Sequence, residues 1–287
     1  MKKLINTLMA SVLFNSLAMA QADPKHTNYY FIPPAIENDV AKVEFDDVVA
    51  KGDYAKMRAK ITNKTKDFLL FKVEEVNFQF PFGSYKPKPG GDMFAKTKGG
   101  FVVIPPKKSY ARTININGDT RFHAEKFSLD FGGLYRLPAK GQAYEAKPFA
   151  LPVATNSFEV GPYKCNVAGK VKQETQETVV NFECKYSPDG NRFGIVNPSK
   201  ISVIPDKNNQ EYATVNNTVD DTELIGPEET VKFKTVFKIE GRIVDMQFAN
   251  MKIQWKEVFT DGVYTPVGSI GKSDFAVDPG MTAGKNK

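Results

Sequence analysis

Apolar residues recur at every second position along most of this chain. Met57, Ala59 and Ile61 alternate with Lys56, Arg58, Lys60 and Thr62. Phe127, Leu129 and Phe131 alternate with Lys126, Ser128 and Asp130. The same pattern marks Val231, Phe233, Thr235 and Phe237, and again Met251, Ile253 and Trp255. A period of two places one set of side chains on one face of a strand and the rest on the other. No amphipathic helix longer than about ten residues can be read after the first 20 residues. Turn clusters separate the runs: Asn63-Lys64-Thr65, Gly99-Gly100, Asn117-Gly118-Asp119, Ser187-Pro188-Asp189-Gly190-Asn191 and Glu240-Gly241. Short alternating strands punctuated in this way predict an all-β chain folded as sandwiches or barrels.

An internal repeat narrows the choice. With a shift of 121 residues, Ala59 and Ile61 fall on Val180 and Phe182, and Ile104 to Tyr110 falls on Ile225 to Val231. Phe122 then falls on Ile243, and Phe127 on Phe248. The spacing is that of a domain rather than a solenoid repeat of about 20–50 residues. Two tandem β-sandwich domains are therefore expected, at 40–138 and 157–262. Pro138, Pro148, Pro152 and Pro162 mark the stretch between them, with 139–156 read as a linker. Residues 21–39 form an N-terminal extension, and 263–287 read as a flexible C-terminal tail with few apolar residues.

The first 20 residues have the pattern of a cleaved signal peptide. Lys2 and Lys3 are followed by the apolar Leu4 to Leu17, and Ala18-Met19-Ala20 precedes Gln21. Export to the periplasm or beyond is the expectation, with no transmembrane segment in the mature chain. Removal of two lysines takes the formal charge from +6 to +4, too weak and too evenly spread to suggest nucleic-acid binding. An even cysteine count in an exported chain suggests a disulfide. If Val167-Gly169-Val171 and Thr178-Val180-Phe182 form a hairpin about the polar Lys172 to Glu177, Val171 faces Thr178, Val167 faces Phe182, and Cys165 faces Cys184. Opposed residues lie close enough for such a bridge.

The run Ile225-Gly226-Pro227-Glu228-Glu229-Thr230, followed by Val231 to Phe237, resembles a step of telokin-like, immunoglobulin-fold extracellular domains of bacteria. In that step a polar turn precedes a strand returning to the core. Ile201 to Tyr212 is similar to their strand followed by x-D-x-x-x-x-Y. The first half departs from the pattern, with Lys107-Lys108 in place of the acids and a longer insertion at Phe82 to Lys98. The resemblance implies extracytoplasmic immunoglobulin-like modules and carries no catalytic residue across.

Chemistry-bearing motifs are sparse. His26 and His123 are the two histidines, so any triad must use one of them. No His/Cys spacing suits zinc, and no cofactor is expected. Gly271-Lys272-Ser273 is not a phosphate loop, because Pro266 stands where the first glycine belongs. Asp220, Asp221 and Glu223, and Asp189, Asn191 and Asp206, read as solvated loop residues rather than a calcium site. Trp255 reads as core. The stretch Phe78 to Phe94 leaves the strand pattern and keeps aromatics among Pro, Gly and Lys. Phe82, Tyr85, Lys86, Lys88 and Phe94 are the candidate binding residues, suited to a protein or polysaccharide partner. The alternative is that this hairpin folds its aromatics back onto the sandwich. The reading is an exported, non-enzymatic binding or structural protein of the bacterial envelope, acting through surface loops or edge strands. The competing reading is an envelope polysaccharide hydrolase using two loop carboxylates.

Overall fold

The computed structural model describes residues 26–88, 97–118, 121–215 and 222–286. The leader expected over 1–20 lies outside the described residues. The first half carries β1 (Asn28–Tyr29), β2 (Ile36–Glu37), β3 (Ala41–Ala50), β4 (Tyr54–Asn63), β5 (Phe68–Phe71) and β6 (Asn77–Phe80). It continues through β7 (Gly83–Tyr85), β8 (Thr97–Lys98), β9 (Phe101–Ile104), β10 (Ser109–Asn117), β11 (Lys126–Asp130) and β12 (Leu134–Leu137). Next come β13 (Gln142–Tyr144) and β14 (Phe149–Leu151). The second half carries β15 (Ser157–Val160), β16 (Tyr163–Val167), β17 (Lys172–Gln173), β18 (Glu177–Tyr186), β19 (Arg192–Val196) and β20 (Ser202–Pro205). It continues through β21 (Tyr212–Ala213), β22 (Glu223–Ile225), β23 (Thr230–Lys238), β24 (Met251–Gln254) and β25 (Phe259–Val263). The chain closes with β26 (Thr265–Pro266), β27 (Lys272–Ala276) and a short helix, α1 (Pro279–Lys285).

All pairings among these strands are antiparallel, and the architecture is all-β and sandwich-like, as the alternation predicts. In the first half, the sheet β1-β3-β4-β10 shares one core with β27-β11-β6-β7 and β26-β12-β5-β9-β8. Inward residues such as Met57, Ala59 and Ile61 of β4 meet Phe71, Phe78 and Leu129 there. In the second half, β15, β16, β17 and β23 group around β18 and share a core with β14-β24-β20-β21 and with residues of β13-β25-β19-β22. Trp255 is in that core, as expected.

The stretch expected as a linker is instead built into the second half. Within 139–156, β13 pairs with β25 and β14 with β24. The stretch expected as a flexible tail returns to the first half. Within 263–287, β26 pairs with β12, β27 pairs with β11, and Ile270 and Phe275 enter the first core. Asp278 caps α1 by accepting from the Met281 amide, and the Thr282 hydroxyl accepts from Tyr29 N–H. Residues 26–39 are likewise tied in, since β1 and β2 both pair with β3. Composition misleads here because each strand is short and buries one or two side chains, Phe149 and Leu151 in one case and Phe275 in the other.

The exchange is reciprocal. Phe127 pairs with Phe275 and Leu129 with Ser273. Moving 124 residues on from the first member and 124 back from the second gives Met251 with Leu151 and Ile253 with Phe149, which also pair in register. The offset of 121 holds for β10 and β23, whose bounds match residue for residue, and for the left-handed turn residues Lys107 (φ 59) and Glu228 (φ 61). It does not hold beyond them. Phe127 is buried while Phe248 is 80% exposed on a turn, because the connection from β23 to β24 is longer than that from β10 to β11.

The halves meet through a third, smaller core. Phe68, Leu70, Phe101 and Leu137 of the first half pack with Phe193 and Leu224 of the second. Phe101 lies edge-on to Phe193 at 5.7 Å and to Tyr264 at 5.1 Å. Lys98 pairs with Glu223 at 3.0 Å, and Glu229 accepts from the amides of Gly99 and Gly226. A Cβ on Gly226 would stand 2.5 Å from the Gly99 nitrogen, so this crossing requires glycine.

Candidate functional site

The cysteine hairpin forms as expected at its base. Cys165 and Cys184 are bonded, with their Cα atoms 4.0 Å apart, and Val167 faces Phe182. Ser187 N–H donates to the Pro162 carbonyl, so the cysteine pair falls at a non-hydrogen-bonded position, where side chains approach most closely. The tip differs from expectation: Thr178 faces Gln173 rather than Val171. The register slips by two residues through Ala168 to Val171, where Gly169 takes a left-handed φ of 82°.

The aromatic stretch is placed against the sandwich. Phe82 and Tyr85 are half-buried and pack on the first core. The Tyr85 ring lies 4.9 Å from Phe122, and Phe82 stacks on Phe80 at 5.3 Å with the Arg121 guanidinium over the Phe82 ring at 5.2 Å. They do not form a free platform. Lys86 and Lys88 are exposed, and Phe94 lies outside the described residues.

Carboxylates converge in one pocket of about 460 Å³, lined by Glu145, Glu211 and Glu257 beside Trp255. Glu211 accepts from Ser202 Oγ at 2.5 Å and faces Lys256. Lys200 bonds Glu257 and holds its carboxyl below the usual range, the opposite of what a general acid requires. Asp261 is 1% exposed and lies at a second pocket with Arg192 and Tyr144. It accepts from Nε and Nη2 of the Arg192 guanidinium, from Tyr144 Oη at 2.9 Å and from Tyr186 Oη at 3.0 Å. Every oxygen is occupied, so this cluster is a lock that fixes β13 to β25, β18 and β19. Burial pushes the Tyr144 and Tyr186 hydroxyls up, and the hydrogen bond to Asp261 does the same for the Arg192 guanidinium.

His123 and Ser273 each bury a side-chain polar atom without a partner, Nδ1 and Oγ respectively, and neither adjoins a nucleophile–base pair. Asp220 and Asp221 lie outside the described residues, while Glu223 serves the interface between the halves. Among the described residues, no group of three or more His, Cys, Asp or Glu side chains could hold a metal, and no helix is long and apolar enough to cross a membrane.

The feature that sequence reasoning did not single out is the edge of β10. This strand pairs with β4 along its full length and with no other named strand. Asn63 N–H donates to the Lys108 carbonyl, which sets the ladder phase: even-numbered residues of β10 bond β4. The N–H and C=O groups of Ala111, Thr113 and Asn115 therefore point away from the sheet. The counterpart β23 is covered at this place, because Val215 N–H donates to the Val236 carbonyl at 2.8 Å and Thr214 Oγ1 bonds the same residue. Nothing among the described residues does this for β10. On its inward face, Arg112 is 5% exposed, in line with Ile114 and Ile116. Only the structural match to Phe233 makes that arginine stand out in the sequence.

No protein-family model matches the chain, and no curated protein matches it. Among the solved structures similar to it are two matched at low levels. Red sea bream transglutaminase is 10% identical with a TM-score of 0.20, over 84% of this chain and 31% of that one. The secreted serine protease VesC from Vibrio cholerae is 9% identical with a TM-score of 0.18, over 80% of this chain and 48% of that one. The chain thus spans about a third and about half of their lengths. Likeness at that level carries no argument about fold or activity.

Proposed function

We propose that this chain is an exported, non-enzymatic binding protein of the bacterial cell envelope, built from two immunoglobulin-like sandwich units and taking its partner by strand addition. The carrying observation is the nine-residue open edge of β10, whose outward backbone groups have no partner among the described residues. An unpaired edge of this length either associates or is blunted by covering segments, charges or bulges. The leader pattern and the disulfide support export, since such bonds persist in oxidising compartments. The matching bounds of β10 and β23 at an offset of 121 residues support the tandem units.

The test is photo-crosslinking in envelope fractions, from a probe at Ala111, exposed on the same strand, and from a control probe at Lys232 of β23. One partner captured from Ala111 and not from Lys232, and lost when Thr113→Pro is added at unchanged Tm, is the expected result. Proline there removes an outward N–H and no bond to β4. Capture that ignores Thr113→Pro would overturn the reading. The pocket of Glu145, Glu211 and Glu257 is the observation favouring the hydrolase alternative. Polysaccharide turnover that falls at least about a hundredfold in Glu145→Gln or Glu211→Gln would establish it instead.

A further inference from the structure

Among the described residues, two charged side chains are buried, Asp261 and Arg112. Asp261 is fully paired. Arg112 is not: its Nε is enclosed with no hydrogen-bond partner, and among the described residues its guanidinium has no ion pair or ring contact. A buried cation without a counter-charge is costly and is rarely left in place. The equivalent position in the second half holds Phe233, packed on Phe182 at 5.5 Å and facing it across the ladder. Arg112 instead faces Ala59, a far smaller side chain than Phe182. An apolar residue thus suits this slot, and the first half carries a charge there, on the strand whose edge is open.

Resting on the strand-addition reading, we infer that the segment added to β10 carries an inward carboxylate opposite Arg112, flanked by apolar residues that meet Ile114 and Ile116. The ladder phase supports this. Because Arg112 bonds β4 through its backbone, its pair with an added strand would be non-hydrogen-bonded, with Cβ atoms about 4.5–5.5 Å apart. An Asp or Glu there reaches the guanidinium, whereas one at the neighbouring positions points to solvent. The site therefore selects an acidic, alternating, extended peptide and rejects the same strand with lysine at that position.

The test uses the mature chain and blocked peptides matched to the nine residues of β10. They alternate Thr outward with Val or Ile inward and carry Glu, Gln or Lys at the inward position that faces Arg112. Affinities are read by fluorescence anisotropy on wild type, Arg112→Met and Thr113→Pro. The Glu peptide is expected to bind about tenfold tighter than the Gln peptide, as a charge-assisted bond implies, with the Lys peptide weakest. Arg112→Met should erase the Glu preference while leaving Tm unchanged or higher, because it removes an unpaired buried charge. Equal binding of Glu and Gln peptides to wild type, both lost in Thr113→Pro, overturns the acidic-partner inference and leaves strand addition standing. No binding by any peptide, or binding that survives Thr113→Pro, overturns strand addition and this inference with it. A fall in Tm in Arg112→Met would show a structural role and also overturn it.

Discussion

Asp261 cannot be neutralised without stranding the Arg192 guanidinium and freeing two tyrosine hydroxyls. Breaking a buried pair by removing one partner costs about 3–5 kcal/mol. Asp261→Asn should lose that much in urea unfolding, and Tyr144→Phe only about 1 kcal/mol, since it deletes one hydrogen bond to a group otherwise satisfied. Gly141, which precedes β13, is equally constrained, because a Cβ there would lie 1.8 Å from the Asp261 carbonyl oxygen. Tyrosine burial gives a pH prediction. Desolvation pushes the Tyr30 hydroxyl up to about 12, partly offset by Asn28, and desolvation with the Glu75 carboxylate pushes Tyr135 up to about 12. Unfolded tyrosines release their proton near about pH 10. The folded chain therefore holds more protons above that value, and stability should fall as pH rises from about 10 through about 12. Urea midpoints at stepped alkaline pH should show the decline, and it should be shallower in Tyr30→Phe.

At the scale of elements, the hairpin of β16 and β18 is held by a bond between residues 19 apart in sequence. Closing a loop of that size in the unfolded chain is worth about 3 kcal/mol in the entropic account. Replacing both cysteines by alanine should lower the unfolding free energy by about that amount, with the strand register intact because the ladder continues through Tyr163–Tyr186 and Val167–Phe182. Circular dichroism with denaturant titration checks both parts. The cysteine pairing was legible because period-two alternation and loop length set the register between neighbouring strands. The two-residue slip at Ala168 to Val171 was not, because a left-handed glycine inserts residues without disturbing the alternation on either side. The aromatic hairpin was legible as an exception to the strand pattern, but whether Phe82 and Tyr85 stood free depended on Phe80 and Phe122, which belong to other elements.

At the scale of the whole molecule, the reciprocal exchange makes the halves interdependent. A chain ending at Val263 lacks β26, β27 and α1, and with them the Phe275 and Ile270 side chains of the first core. Such a truncation should unfold the first half while β13 to β25 keep their pairings, giving loss of about half the amide protection by hydrogen exchange rather than a uniform decrease. Uniform loss, or none, would contradict the exchange. Phe101 joins both halves through Phe193 and Tyr264. Phe101→Ala should cost about 3–5 kcal/mol and split a single unfolding transition into two.

The sequence by itself determined the longer strands, their buried faces and the cysteine bridge, because each follows from spacing along the chain or from one local turn. The tertiary structure alone decided which half each of the short strands joins, where the register slips, and that Arg112 has no counter-charge among the described residues and sits at a sheet edge. The short strands pair across about a hundred residues or more, while the slip and the setting of Arg112 rest on one local turn and on which strand is left at a sheet edge; a short strand burying one or two side chains has the composition of a loop until its neighbour is known.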